Sequence, residues 1–168
     1  MAASLGAVLV CPDGIDAEGY AFEAREREAL MGVLREVRRL VLVDDDRIWI
    51  TGMSRGGHAT WDLCTRHPGV FAAAAPMIGS PRLSNAKGEN NLRYLENVVP
   101  LPIRDLQGSR DDPLLLDNLR DAFARLGRWK APDAKLIEFP ERGHDFDLTA
   151  VDWVAWLGSA RRNPSPET

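Results

Sequence analysis

The chain is predicted to fold as an α/β protein, a three-layer αβα sandwich on a mainly parallel sheet of about five strands. Three observations predict it. Short apolar runs alternate with longer amphipathic segments along the 168 residues. One amphipathic segment opens on a recognisable helix start, Asp112-Pro113. A glycine-flanked serine, Gly52-Met53-Ser54-Arg55-Gly56, stands where one apolar run passes into one amphipathic segment. Strands alternating with helices imply parallel pairing with helices on both faces.

Taken in order, residues 5–11 are apolar and are closed by Pro12-Asp13-Gly14, which predicts a buried strand ending in a turn. Residues 23–41 place Leu30, Val33, Leu34, Val37, Leu40 and Val41 on one face and Arg and Glu on the other, the spacing of an amphipathic helix. Asp44-Asp45-Asp46 reads as a solvated turn, not a metal site. A strand is predicted over 47–51, a helix over 57–66 and a strand over 71–78. Residues 79–100 read as a polar loop with one helical turn near 92–97. After a strand at 102–107, Asp112 is placed as N-cap and Pro113 at the first helical position, with Leu115, Leu119, Phe123 and Leu126 on the buried face. A strand over 134–139 and a helix over 148–160, carrying Trp153, Val154, Trp156 and Leu157, complete a single domain of residues 1–160. The tail from Arg161 is expected to be disordered.

Composition narrows the function classes. Hydrophobic residues at 45% and charged residues at 27% are ordinary for a globular domain. A net charge of −4 gives no electrostatic reason to expect nucleic acid or an anionic membrane as partner. Cys11 and Cys64 are too few for a disulfide framework and read as small buried hydrophobes. No apolar stretch approaches membrane-spanning length, and no basic region precedes Leu5, so a cytoplasmic location is expected.

In a parallel sheet, chemistry gathers at the carboxyl ends of the strands. Ser54 lies at such an end, on a turn sharp enough to push its hydroxyl clear of the sheet. Gly52 and Gly56 are expected there because strand and helix pass too close for a Cβ. A serine needs a base to take its proton, and histidine has the pKa for that work. The histidine in turn needs a carboxylate to fix its tautomer. His144 follows one strand next to a glycine, whereas His58 and His67 fall on or at the end of the 57–66 helix and read as structural. Asp111 follows another strand. Asp112 is assigned to the helix cap, and Asp117, Asp145 and Asp147 are weaker candidates. The order Ser, Asp, His is that of one class of serine hydrolases.

The run Asp46-Arg47-Ile48-Trp49-Ile50-Thr51-Gly52-Met53-Ser54-Arg55-Gly56-Gly57, followed by Arg66-His67-Pro68-Gly69-Val70-Phe71-Ala72-Ala73, resembles the nucleophile-elbow region of α/β-hydrolase esterases. It is most similar to the group of polyhydroxybutyrate-depolymerase-like esterases, feruloyl-type carboxylesterases and predicted peptidases. The resemblance covers about residues 5–160. It implies a reduced α/β-hydrolase fold and a serine carboxylester hydrolase acting on small or short-acyl esters through an acyl-enzyme. It further implies Ser54 as nucleophile, Asp111 as acid, His144 as base and the backbone N–H of Arg55 as oxyanion donor. Met53, Met77, Ile78 and Leu83 fall where related proteins contact substrate. No metal or organic cofactor is required, and the expected partner is a small-molecule ester.

The chain departs from that family at two places. Gln107 stands where the family usually has histidine before the glycine. Residues 1–45 contain nothing like the loop that supplies the second oxyanion donor, and 5–11 resemble the family's fourth strand, with earlier strands missing. A truncated domain would leave an exposed sheet edge. Two arrangements would cover it: residues 5–11 beside the 47–51 strand, with 12–19 overhanging Ser54 and offering an N–H, or a homodimer paired along the edge. With one donor assured, weak activity on activated esters is expected, since one oxyanion donor is worth about 10²–10³ in rate. The alternative function is a catalytically silent hydrolase-like module with a binding or assembly role. Amidase, peptidase and thioesterase chemistry remain open at this point.

Overall fold

The computed structural model describes residues 1–13, 20–82 and 90–164. Four parallel strands, β1 (Trp49–Met53), β2 (Ala73–Met77), β3 (Ile103–Gly108) and β4 (Ala134–Phe139), pair in sequential order. Helices α2 (Ala24–Leu40), α3 (Arg55–Arg66) and α4 (Pro113–Arg128) and the 3-10 helix Asn91–Val98 supply the side chains that cover one face. There Trp61, Leu95, Val98, Leu119, Ala122 and Leu126 meet Ala74 and Ile103. The other face is covered by α5 (Trp153–Ser159), whose Trp153 and Trp156 pack on Ala73, Ala75, Met77 and Leu106. The odd and even residues of β2 go to opposite faces, as the period of two requires. Its Ala-Ala-Ala-Pro-Met sequence is buried throughout, as befits a strand covered on both sides.

The sheet has four strands, not the five expected, and the difference lies at the N-terminus. Residues 5–11 do not form a strand. A short helix, α1 (Ala2–Leu5), ends at Gly6 in the left-handed region (φ 62°), and the chain then runs on without ladder hydrogen bonds. Val8 and Leu9 are exposed, as is Cys11, read from sequence as buried. An apolar run becomes a strand only if a neighbour accepts its backbone, and among the described residues β1 is paired on one side alone. The placement of residues 5–11 beside β1 is therefore overturned. A capping box of Glu23 and Glu26 starts α2, and its Leu30 and Met31 pack against the core around Trp61. Val33, Leu34 and Val37 are half-buried and Leu40 is exposed.

Elsewhere the elements fall within a few residues of expectation, and β4 coincides with 134–139. The last helix is shorter than expected, a 3-10 turn at Leu148–Ala150 followed by α5. The acidic turn is consumed structurally. The Asp44 side chain accepts from the Asp46 N–H, Asp45 pairs with Arg38, and Asp46 pairs with Arg162. That last pair, with the Arg162 N–H donating to the Asp46 carbonyl at 3.0 Å, holds the start of the segment expected to be disordered. No described helix is long and apolar enough to cross a membrane.

One buried carboxylate binds several of these pieces. Asp62 of α3, with no solvent exposure, accepts from Tyr20 Oη (2.6 Å), Arg27 Nη1 (3.0 Å), Arg66 Nε (2.7 Å) and Asn91 Nδ2 (2.7 Å). A buried charge survives only when its oxygens are satisfied this way.

Candidate active site

Because all four strands are parallel, the turns that follow them open at one end of the sheet. Ser54 follows β1 and precedes the first residue of α3, with φ 56° and ψ −114°. A non-glycine residue at positive φ is uncommon and marks a backbone held in place by its surroundings. Here the Ser54 N–H donates to the Met77 carbonyl at 2.9 Å and the His58 N–H to the Ser54 carbonyl at 3.0 Å. A Cβ on Gly52 would collide with the backbone of Gly56, so strand and helix do cross too closely for a side chain. The second crossing glycine is Gly57, not Gly56: a Cβ on Gly57 would stand 2.5 Å from the Met77 carbonyl, whereas one on Gly56 meets nothing within 4 Å.

The turns after β3 and β4 are stitched to each other. The Ser109 N–H donates to the Phe139 carbonyl (3.0 Å), the Arg110 N–H to the Arg142 carbonyl (2.7 Å), and the Glu141 N–H to Ser109 Oγ (3.1 Å). Arg110 and Glu141 also form an ion pair. This stitching carries Asp111 and His144 towards Ser54. His144 Nδ1 lies 2.8 Å from Asp111 Oδ2, and His144 Nε2 lies 2.9 Å from Ser54 Oγ.

Asp111 is ionised. Burial alone would raise its pKa, but hydrogen bonds from the Asp112 N–H, Gln107 and His144 outweigh burial and hold it below the ordinary value. An ionised carboxylate only accepts, so Nδ1 carries the imidazole proton and Nε2 is left to accept from the serine hydroxyl. The carboxylate is clamped from two further sides. The Asp112 N–H donates to Oδ1 and Gln107 Nε2 donates to Oδ2, each at 2.7 Å. Asp112 itself caps α4 through the Leu114 N–H, with Pro113 at the first helical position.

The other sequence-selected residues sort as follows. His58 is buried on α3, its Nδ1 within hydrogen-bond distance of both the Ser80 carbonyl (2.7 Å) and the Ser80 N–H (3.0 Å). Burial, against the Ser80 carbonyl, lowers its pKa. It anchors the turn after β2. His67 ends α3. Met53 is exposed beside Ser54, while Met77 and Ile78 are buried with Leu106 below it. Ile78 has φ 43°, a rare state for a β-branched residue, directly after β2. Leu83 lies outside the described residues, as does most of the segment 12–19 expected to offer a second N–H. The chain is described again from Tyr20, whose carbonyl accepts from Arg55 Nη1 at 3.0 Å. The Arg55 N–H, first in α3, has no partner within the helix and sits at its positive end. Gln107 was legible in the sequence only as a departure from the family pattern; its contact with Asp111 is made through space inside a turn and leaves no periodic signal.

No protein-family model matches the sequence, and no curated protein does. Solved structures do. A thermostable esterase is 24% identical with a TM-score of 0.61, over 80% of this chain and 37% of that one. S-formylglutathione hydrolase from Staphylococcus aureus is 19% identical with a TM-score of 0.62, over 83% of this chain and 63% of that one. A puromycin-hydrolyzing peptidase of Mycobacterium tuberculosis is 20% identical with a TM-score of 0.67, over 80% of this chain and 25% of that one. The chain thus spans less than two thirds of the length of each. Its four-stranded parallel sheet, helices on both faces and strand–turn–helix at Ser54 identify a reduced form of the α/β-hydrolase fold.

Proposed function

We propose that the protein is a serine hydrolase that cleaves small or short-acyl carboxyl esters through an acyl-enzyme. The observation that carries this reading is the unbroken line Ser54 Oγ, His144, Asp111, with separations of 2.9 and 2.8 Å. His144 Nε2 takes the hydroxyl proton as Ser54 Oγ attacks the ester carbonyl. Asp111 orients the ring and stabilises the imidazolium. The Arg55 N–H faces the developing oxyanion. The alcohol leaves with the proton from His144, which next deprotonates a water that releases the acid. Met53, Met77, Ile78 and Leu83 are the proposed acyl contacts. The neighbouring structures include an esterase, an S-formylglutathione hydrolase and peptidases, so amide and thioester cleavage belong to the same assay panel.

A second reading, a silent module with a binding role, is favoured by one observation: among the described residues Arg55 alone is assigned as oxyanion donor. The test is hydrolysis of p-nitrophenyl acetate and butyrate beside Ser54→Ala, with fluorophosphonate labelling of both proteins. Activity and label that vanish in the variant support the hydrolase. Equal background rates and no label in either protein would move the silent module ahead.

A further inference from the structure

We infer that Gln107 is a positioning residue of this site, fixing the Asp111 carboxylate so that one oxygen lone pair is aimed at His144. The inference rests on the serine hydrolase reading above. Gln107 lies on β3 with no solvent exposure, and its Nε2 reaches Asp111 Oδ2 (2.7 Å) and the Gly108 carbonyl (3.2 Å). Both are acceptors, so only the amide nitrogen can face them and the orientation of the side chain is fixed. Its oxygen, Oε1, is buried with no partner among the described residues. A residue serving the core alone would have no reason to hold an orphaned oxygen there, since burying an unpaired acceptor is costly.

The oxygen Gln107 grips is the same one that faces His144 Nδ1. Asp111 Oδ1 is held by the Asp112 N–H at 2.7 Å. With donors fixed on both oxygens, the carboxylate cannot rotate about χ2, and the remaining direction at Oδ2 belongs to the imidazole. Without Gln107, the carboxylate would be held by the Asp112 N–H and by the imidazole itself, the group it has to orient. The loss of a hydrogen bond to a charged acceptor corresponds to about ten- to a hundredfold in the step it supports.

The test compares Gln107→Met, of equal length with no donor, and Gln107→His, which restores a ring N–H, with wild type. The readouts are kcat and KM on p-nitrophenyl butyrate and the downfield proton resonance of His144 Nδ1–H. Gln107→Met is expected to lose about ten- to a hundredfold in kcat with KM within about twofold. Its Nδ1–H signal should broaden or move, and Gln107→His should recover both. A folded Gln107→Met with wild-type kcat and an unchanged signal overturns the inference. If Gln107→Met does not fold, Gln107→His decides alone: retained kcat and signal support the role, and loss of both overturns it. Should Ser54→Ala prove as active as wild type, the hydrolase reading fails while the resonance still reports on the Asp111–His144 contact.

Discussion

Gly108→Ala places one methyl group at the crossing that brings Asp111 and His144 together. The new Cβ would stand 2.6 Å from the Arg142 carbonyl oxygen and closer still to that of Gly143. Ordinary contact distances are about 3.5 Å, so the turns must separate by more than about 1 Å. Both obstacles are backbone, and neither can rotate away as a side chain would. Separation strains the Ser109–Phe139 and Arg110–Arg142 hydrogen bonds that stitch the turns. Overpacking of this kind costs about 2–3 kcal/mol, which for a chain of this size lowers Tm by about 4–10 °C. The displacement also falls directly on the Asp111–His144–Ser54 line, and a misplacement of about 1 Å costs about 10² in rate. Differential scanning calorimetry and kcat/KM on p-nitrophenyl butyrate read the two effects. A variant that melts within a degree of wild type and keeps its rate would refute the claim that this crossing holds the site together.

Two further outcomes follow. Burial holds Asp105 well above the usual carboxylate range, against the hydrogen bond from Trp61 that lowers it. The folded chain therefore keeps a proton that the unfolded chain sheds above about pH 4, and stability falls as pH rises from there, by up to about 1.4 kcal/mol per pH unit. Asp105→Asn cannot ionise, so its Tm relative to wild type should climb between pH 5 and pH 8; a constant difference would contradict this. The edge of β1 that faces away from β2 is proposed to pair with a second copy. Ala72 donates to the Ile48 carbonyl and Ser54 to that of Met77, so even-numbered residues of β1 face β2 and Thr51 faces outward. Thr51→Pro removes an outward N–H. Light scattering behind size exclusion should show a concentration-dependent dimer for wild type and a monomer for the variant, and a wild type monomeric at all concentrations removes the pairing.

The parts of the fold that were legible in the sequence are those written in local chemistry. The cap Asp112-Pro113, the apolar spacing of α2 and the glycine-flanked Ser54 each lie within a few residues, and each element stands close to where those signals put it. Strand–helix alternation also placed Ser54, Asp111 and His144 on turns at one end of the sheet. What was hidden depends on neighbours far along the chain. Residues 5–11 have the side chains of a strand but no partner backbone. The requirement for glycine at 57 comes from the carbonyl of Met77, and the grip of Gln107 on Asp111 from the path of a turn.

The carboxylate of Asp62 has a consequence for how the molecule opens. It sits on the helix that begins at Ser54 and collects donors from Tyr20, Arg27 and Asn91 as well as from its own helix. Releasing any one of those segments takes a donor from a carboxylate in a dry interior, so none has a cheap way to detach alone. Helix α3, the start of α2, and the stretches around Tyr20 and Asn91 should therefore breathe as one cooperative unit, sharing a common amide-exchange free energy. The helix that carries Ser54 at its start is in that sense all-or-none, either assembled with these segments or lost together with them.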